Sequence, residues 1–221
     1  MPIKLAIIPQ NRSGMSHAQL REYLERHHGP LCLAHPDVSG PFQRYIHHYV
    51  DETFPLPDGY TPLERGAVTL ISFADMAGLV ASKQSTAYIE VVGPDEDNFR
   101  DEAGSQALMV DENVIIDGIE AETHKAFVLR EVAGDPKAFA AEHAARLHDV
   151  IKTGAIPKPD RLVINSAASD KVTCDFNQFD EISFANREDL RAFLGAIAAA
   201  NDSSGGKPVE NLIVCNTVIF K

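Results

Sequence analysis

The sequence predicts an α+β protein built from two successive β-α-β-β-α-β units. Three observations lead there. Short β-rich runs and capped helical stretches follow one another in that order, twice over. The second set repeats the first at a period of about 120 residues, longer than solenoid repeats show. A chain of 221 residues, 44% hydrophobic and 24% charged, suits one large domain or two small ones that need no staples.

The first unit opens on IKLAIIP, a short strand that should end at Pro9. Ser16 and Gln19 form a capping box for a helix in which Leu20, Leu24, His27 and Leu31 recur at helical spacing. Gly29 and Pro30 should weaken or bend the end of that helix. PFQRYIHHYV is the second strand, with Phe42, Arg44, Ile46, His48 and Val50 on one face and Tyr45, His47 and Tyr49 on the other. A long proline-containing loop leads to AVTLISFA, the third strand. Asp75 caps a helix that begins MAGLVASKQS. A shorter helical piece, EDNFRDEA, precedes VIIDGIEAETH, the fourth strand.

The second unit runs KAFVLRE (strand), DPKAFAAEHAARLHDVI (helix), DRLVINSAAS and FDEISFA (strands), REDLRAFLGAIAAA (helix) and ENLIVCNTVIF (strand). Asp135 and Pro136 start its first helix and Asn186 caps its second. The division falls near His124 and Lys125, giving units 1–124 and 125–221. Each has the ferredoxin-like, split-βαβ order. Such a sheet carries helices on one face only, so its other face needs a cover. Two such sheets can face each other in one chain and form a barrel, whose cavity is then the expected ligand pocket.

A formal net charge of -12 makes nucleic acid and anionic membrane poor candidate partners. Cys32, Cys174 and Cys215 are far apart, without C-x-x-C spacing, and are expected to be reduced thiols, mostly buried. No apolar run reaches transmembrane length, and MPIKLAIIPQ lacks a cleavage site, so a cytoplasmic protein is expected. NDSSGGKP follows a helix instead of preceding one, unlike a phosphate loop, and no G-x-S-x-G motif occurs.

Several motifs of the first half occur together in order: SHAQLREYLERHHGPL, with His28-Gly29-Pro30-Leu31; RYIHHYV, with Arg44 and Tyr45; AVTLISFAD; and DEDNFRD, with Asp95, Glu96 and Phe99. In these, residues 3–122 resemble the EthD family of dimeric α+β barrel proteins. Two features depart from it. Arg65-Gly66 stands where the family often has Asp-Gly, and the second half lacks the His-Gly-Pro motif. The resemblance therefore implies one site, built mainly from the first half, within an intramolecular version of the dimeric barrel. It also implies small hydrophobic or aromatic substrates, as in polyketide dehydratases, a methylmuconolactone isomerase and proteins of aromatic degradation clusters, usually without a metal. Cofactor-free monooxygenases and haem-degrading enzymes are wider relatives.

His27, His28, His35, His47 and His48 crowd into one short region. A zinc site wants three or four convergent ligands. Neighbouring helical residues such as His27 and His28 diverge by about 100°, and no H-x-x-x-H pair is present; His28 with a strand histidine and water remains the one arrangement open to a metal. Acid–base chemistry fits better, since imidazole can take and return a proton near neutral pH. His28 is the first candidate, largely from the family motif, and His47 the second. By the face argument Phe42, Ile46 and Val50 pack on the helices, while Tyr45, His47 and Tyr49 line the barrel. A bulge would exchange His47 and His48. His27 falls on the apolar stripe and reads as a packing residue; His35 reads as solvated or capping. The acidic DEDNFRDE stretch reads as a solvated face with Phe99 packed inside.

The expected catalytic residues are therefore His28, His47 and Tyr45, the expected substrate-binding residues Tyr49, His48 and Leu70, and no metal or other cofactor is expected. The function expected is a cofactor-independent lyase or isomerase, dehydratase-like, on a small aromatic, polyketide-like or lactone metabolite. The alternatives are a non-catalytic binding or accessory protein and a cofactor-free monooxygenase. A monomer with an internal pseudo-dimer, or a homodimer, is expected.

Overall fold

The computed structural model describes residues 2–118, 124–168, 174–202 and 210–221. NDSSGGKP lies outside them from Ser203 onward, as do residues 119–123 of the expected fourth strand. The fold is mixed α+β and divides into two compact units. The first comprises 1–50, 65–109 and 218–221, and the second 51–64 and 110–217. Where the sequence suggests a division at His124 and Lys125, the units change over at Met109 and Val110, inside one long strand, and the 51–64 loop belongs to the second.

In the first unit the elements are β1 (Ile3–Asn11), α1 (His17–Tyr23), a π-turn (Leu24–His28), α2 (Gly29–Ala34), α3 (Pro36–Ser39) and β2 (Phe42–Val50). After the loop come β4 (Ala67–Phe73), α4 (Met76–Lys83), a second π-turn (Tyr88–Val92), α5 (Gly93–Asp95) and a 3-10 turn (Glu96–Asn98). β5 (Arg100–Ile116) begins in this unit, and β3 (Thr61–Pro62) lies in the intervening loop. The sheet order is β2-β4-β1-β5. β4 lies antiparallel to both β1 (Ile3↔Phe73 to Ile7↔Thr69) and β2 (Arg44↔Ser72 to Tyr49↔Ala67). Phe42, Tyr45, Ile71 and Phe73 are buried with Leu5, Val38 and Val92. Burying such side chains stabilises a fold by about 25 cal/mol per Å² of apolar surface.

Four expectations are corrected here. β1 runs past Pro9 to Asn11; its register with β4 ends at Ile7, so the missing proline N–H lies beyond the stretch paired with β4. The helix does not end at Gly29-Pro30. It takes one π-turn and continues to Ala34. A proline ring clashes with the carbonyl four residues back in an α-helix, and the wider turn relieves this, with Gly29 N donating to Leu24 O five residues back. The fourth strand starts at Arg100, so only three residues of EDNFRDEA are helical. Finally, β2 bulges between Phe42 and Arg44, two residues of β2 standing against the single step from Phe73 to Ser72. That extra residue moves Phe42 onto the Tyr45 face.

The second unit holds β6 (His124–Arg130), α6 (Pro136–Lys152), β7 (Arg161–Ala167), β8 (Gln178–Phe184), α7 (Arg187–Asp202) and most of β9 (Glu210–Ile219). Its order is β7-β8-β6-β9. Asp135 caps α6, with Pro136 in its first turn, and the Asn186 side chain accepts from Glu188 N and Asp189 N at the start of α7. Ala126, Val128, Leu162, Ile182, Leu190, Phe193 and Leu194 form its core. Inside it lies an ionic network. Arg130 pairs with Asp180 at 2.9 Å and Glu210 at 2.6 Å, Asp180 takes a further bond from His143 Nε2 at 2.8 Å, and Lys125 meets Glu181 at 3.1 Å. Each of these ions has an opposite charge beside it, the condition for tolerating ions in low dielectric. Cys32 and Cys215 are buried and Cys174 half-buried, none of them in a disulfide. No helix among the described residues is long and apolar enough to cross a membrane.

Candidate active site

The π-turn decides which histidine enters the first unit. An uninterrupted helix would put Leu20, Leu24, His27 and Leu31 on one stripe. The extra residue advances the stripe by one, so the buried set becomes Leu20, Leu24, His28 and Cys32, and His27 is exposed beside the Tyr23 ring. The expectation that His27 is the packing histidine is thereby corrected.

His28 lines a cavity of about 430 Å³ that lies wholly within the first unit. Its walls come from β1, β2, β4 and β5 on the sheet side and from the helical segments on the other, and are mainly apolar: Leu24, Phe42, Ile71, Phe73, Val92, Phe99 and Met109. Tyr45 and His47 line it as well. The face argument is thus reversed: Tyr45, His47 and Tyr49 point to the helices of their own unit, and Phe42, moved by the bulge, joins them. Tyr49, His48 and Leu70 do not line this cavity. Tyr49 packs with Leu20, Leu24 and Phe99, under the Arg21 guanidinium at 5.1 Å. His48 and Leu70 occupy the alternate strand positions, opposite Val68 and Ile46.

His28 Nδ1 donates to Asp95 Oδ2 at 2.9 Å. The carboxylate can only accept, so the proton sits on Nδ1 and Nε2 carries the lone pair. Tyr23 OH donates to Asp95 Oδ1 at 2.6 Å, and Asn98 Nδ2 donates to the same oxygen at 3.1 Å. Burial alone would raise the Asp95 carboxyl, but these hydrogen bonds outweigh it and hold the group below its ordinary value. Burial lowers His28 below the ordinary imidazole value, against the pull of Asp95 and Glu96, so His28 is a neutral base at pH 7.

Cys32 Sγ lies 3.6 Å from His28 Nε2, and Tyr45 OH donates to the same sulfur at 3.7 Å. Burial raises the thiol to about 11. Cys32 is therefore a protonated donor to the imidazole and not a thiolate nucleophile. Burial also raises the Tyr45 phenol well above its ordinary value, which leaves its proton available as a hydrogen bond. His47 is 1% exposed and burial lowers it to about 3, so its ring is neutral.

The cavity has a second polar cluster that the sequence reading missed. Lys83 stands over the Tyr88 ring at 4.0 Å and bonds its hydroxyl, Tyr88 OH donates to Glu96 at 3.0 Å, and Arg100 pairs with Glu96. Asp95 was noticed as part of a motif but not as a partner of His28. One signal was available: of the three Gly-Pro dipeptides, two, in HHGPL and VVGPD, follow a π-turn, while Gly40-Pro41 follows α3. A Cβ on Gly29 would meet Leu24 O at 2.8 Å, and one on Gly93 would meet Tyr88 O at 2.9 Å. Both turns therefore call for glycine. Among the described residues, no group of three or more His, Cys, Asp or Glu is arranged to hold a metal ion.

A model of the EthD domain matches residues 12–103. This segment is an EthD domain. His28, Tyr45, His47 and Asp95 all lie in it, so the cavity's polar groups belong to the EthD domain. No curated protein matches the chain by sequence. Among solved structures, an anthrone oxidase-like protein superposes with a TM-score of 0.64 at 10% identity, over 99% of this chain and 93% of its own. A protein from Fusobacterium nucleatum named as a monooxygenase gives 0.60 at 9%, over 99% and 93%. A mutant chlorite dismutase from Candidatus Nitrospira defluvii gives 0.53 at 8%, over 97% and 91%. At such identities the likeness shows a shared fold, to which the EthD domain contributes its part.

Proposed function

We propose that this protein is an enzyme that removes and returns a proton on a small, largely apolar aromatic, polyketide-like or lactone substrate, acting as a cofactor-independent lyase or isomerase. The observation that carries this reading is the His28–Asp95 pair on the wall of an apolar cavity. Once its long contact with the Cys32 thiol gives way to substrate, His28 Nε2 takes a proton from carbon next to a carbonyl, and Asp95 stabilises the imidazolium that results. The same proton then goes to a leaving oxygen, releasing water in a dehydration, or returns to another carbon in an isomerisation. His47, and Tyr45 on turning its hydroxyl away from Cys32, are placed to hold the substrate oxygen by hydrogen bonds. Exclusion of water by the apolar walls strengthens each of these interactions.

Deuterium uptake tests this directly. Enolisable aromatic ketones and lactones incubated with the protein in D2O should take up deuterium next to the carbonyl faster than in buffer, and the His28→Gln variant should lose that excess. Uptake no faster than in buffer, or undiminished in the variant, overturns the reading.

The names of two structural neighbours, anthrone oxidase-like and monooxygenase, favour a second reading. Deprotonation by His28 would also make an electron-rich carbanion able to reduce dioxygen without a cofactor. Oxygen consumption coupled to substrate loss separates this from a lyase. A stoichiometric ligand recovered unchanged after hours would instead favour a binding or accessory protein.

We also propose that both units are of the ferredoxin-like type. In each, the strands numbered within the unit stand in the order 2-3-1-4, which supports that reading.

A further inference from the structure

We infer that His47 is the specificity-determining contact of this cavity, selecting aromatic ligands that carry a neutral hydroxyl or keto oxygen; the inference rests on the reading of the cavity as a substrate site. Several other polar groups of the cavity are engaged. His28 holds Asp95 and Cys32, Tyr45 bonds Cys32, Tyr88 bonds Glu96, and Ser82 donates to Val38 O at 2.8 Å. The two ring nitrogens of His47 are buried and have no hydrogen-bond partner among the described residues. The ring is nonetheless fixed, packed between Tyr45 at 4.8 Å, Phe220 at 4.9 Å and Tyr49 at 5.9 Å.

A buried polar group without a partner costs free energy that a ligand can recover. A neutral imidazole presents one N–H donor and one lone pair. A keto oxygen matches the first and a phenolic or enolic hydroxyl matches either. A carboxylate would lose its hydration for a single uncharged donor, which is a poor exchange. The aromatic lining of Phe42, Phe73 and Phe99 suits a flat ring system carrying that oxygen. His47 thus reads the oxygen, whereas His28 handles the proton.

The test compares 1-naphthol with naphthalene, by titration against wild type, His47→Phe and His28→Gln. The ratio of the two dissociation constants in wild type, divided by that in His47→Phe, cancels the hydrophobicity difference between the probes. It should favour naphthol by about tenfold or more, and His28→Gln should keep the wild-type ratio. A second readout needs no variant: the ¹⁵N resonances of the His47 ring should move on adding naphthol and stay in place with naphthalene. The inference is overturned by equal ratios in wild type and His47→Phe, by unmoved nitrogen signals, or by neither probe binding the wild type. A preference lost in His28→Gln but kept in His47→Phe would also overturn it, while leaving the proposed proton transfer standing. Deuterium uptake by the wild type no faster than in buffer, with the naphthol preference intact, would do the reverse.

Discussion

His28 and Asp95 are 67 positions apart in the chain, yet each stands next to a Gly-Pro pair that follows a π-turn, and the two side chains meet at 2.9 Å. On the proposed reading the pair acts as a unit. His28→Gln should lower turnover by about 10² to 10⁴-fold, the usual worth of a placed general base. Urea denaturation of the same variant should show that the fold persists.

Asp95→Asn should have a distinguishable effect on the pH–rate profile. The wild-type rate should fall on acidification only below the ordinary imidazole range, because burial lowers the His28 pKa. Asp95 raises that pKa against burial, so its removal should move the acid limb to still lower pH while reducing the plateau. An acid limb that stays in place would show that Asp95 does not act on His28.

His47 should govern acid stability. Its folded pKa of about 3 lies below the unfolded value of 6.5, so the unfolded chain binds more protons in between. Stability is then full above pH 6.5 and is lost as pH falls towards 3. The loss at pH 4.5 should be about 3 kcal/mol from this group. His47→Phe should flatten that part of the stability–pH curve, read from urea midpoints at each pH.

The two glycines that follow the π-turns should resist substitution. Gly29→Ala places a methyl 2.8 Å from Leu24 O and 2.5 Å from the Phe220 ring, and Gly93→Ala one 2.9 Å from Tyr88 O. Each should cost about 1–3 kcal/mol. The drop in deuterium uptake should exceed what the lost stability explains, since both turns aim the pair.

In the second unit, Asp180→Asn should destabilise by about 3–5 kcal/mol, because Arg130 and His143 lose the carboxylate they share in the interior. Thermal unfolding in which Asp180→Asn matches wild type would show the network to be dispensable.

Much of the fold was legible because it rests on local signals. The Ser16–Gln19 box, the Asp75 and Asp135 caps and the strand runs all work over a few residues, and they stand where the sequence places them. The site was harder, for a physical reason. Helical periodicity assumes 3.6 residues per turn, and one π-turn was enough to replace His27 by His28 and Leu31 by Cys32 on the buried stripe. One bulge at Gln43 likewise put Phe42 on the Tyr45 face. Tyr45 and His47 were named on the reasoning that their strand face lined a barrel, and His28 largely from the family motif, whereas all three line a cavity under the helices of their own unit. Asp95 was hidden because its acidic neighbours look like an ordinary solvated face, and nothing local reveals a contact so distant in the chain.

The π-turn at Leu24–His28 also makes the site sensitive to chain length at one point. Deleting a single residue there would restore an ordinary α-helix and turn everything after it by about 100° relative to everything before. His28 would swing away from Asp95 although both residues were still present. Tolerance to deletion in this stretch should therefore be far poorer than tolerance to substitution at its exposed positions, such as Arg26. The His28–Asp95 pair is specified by a count of residues as much as by their kind.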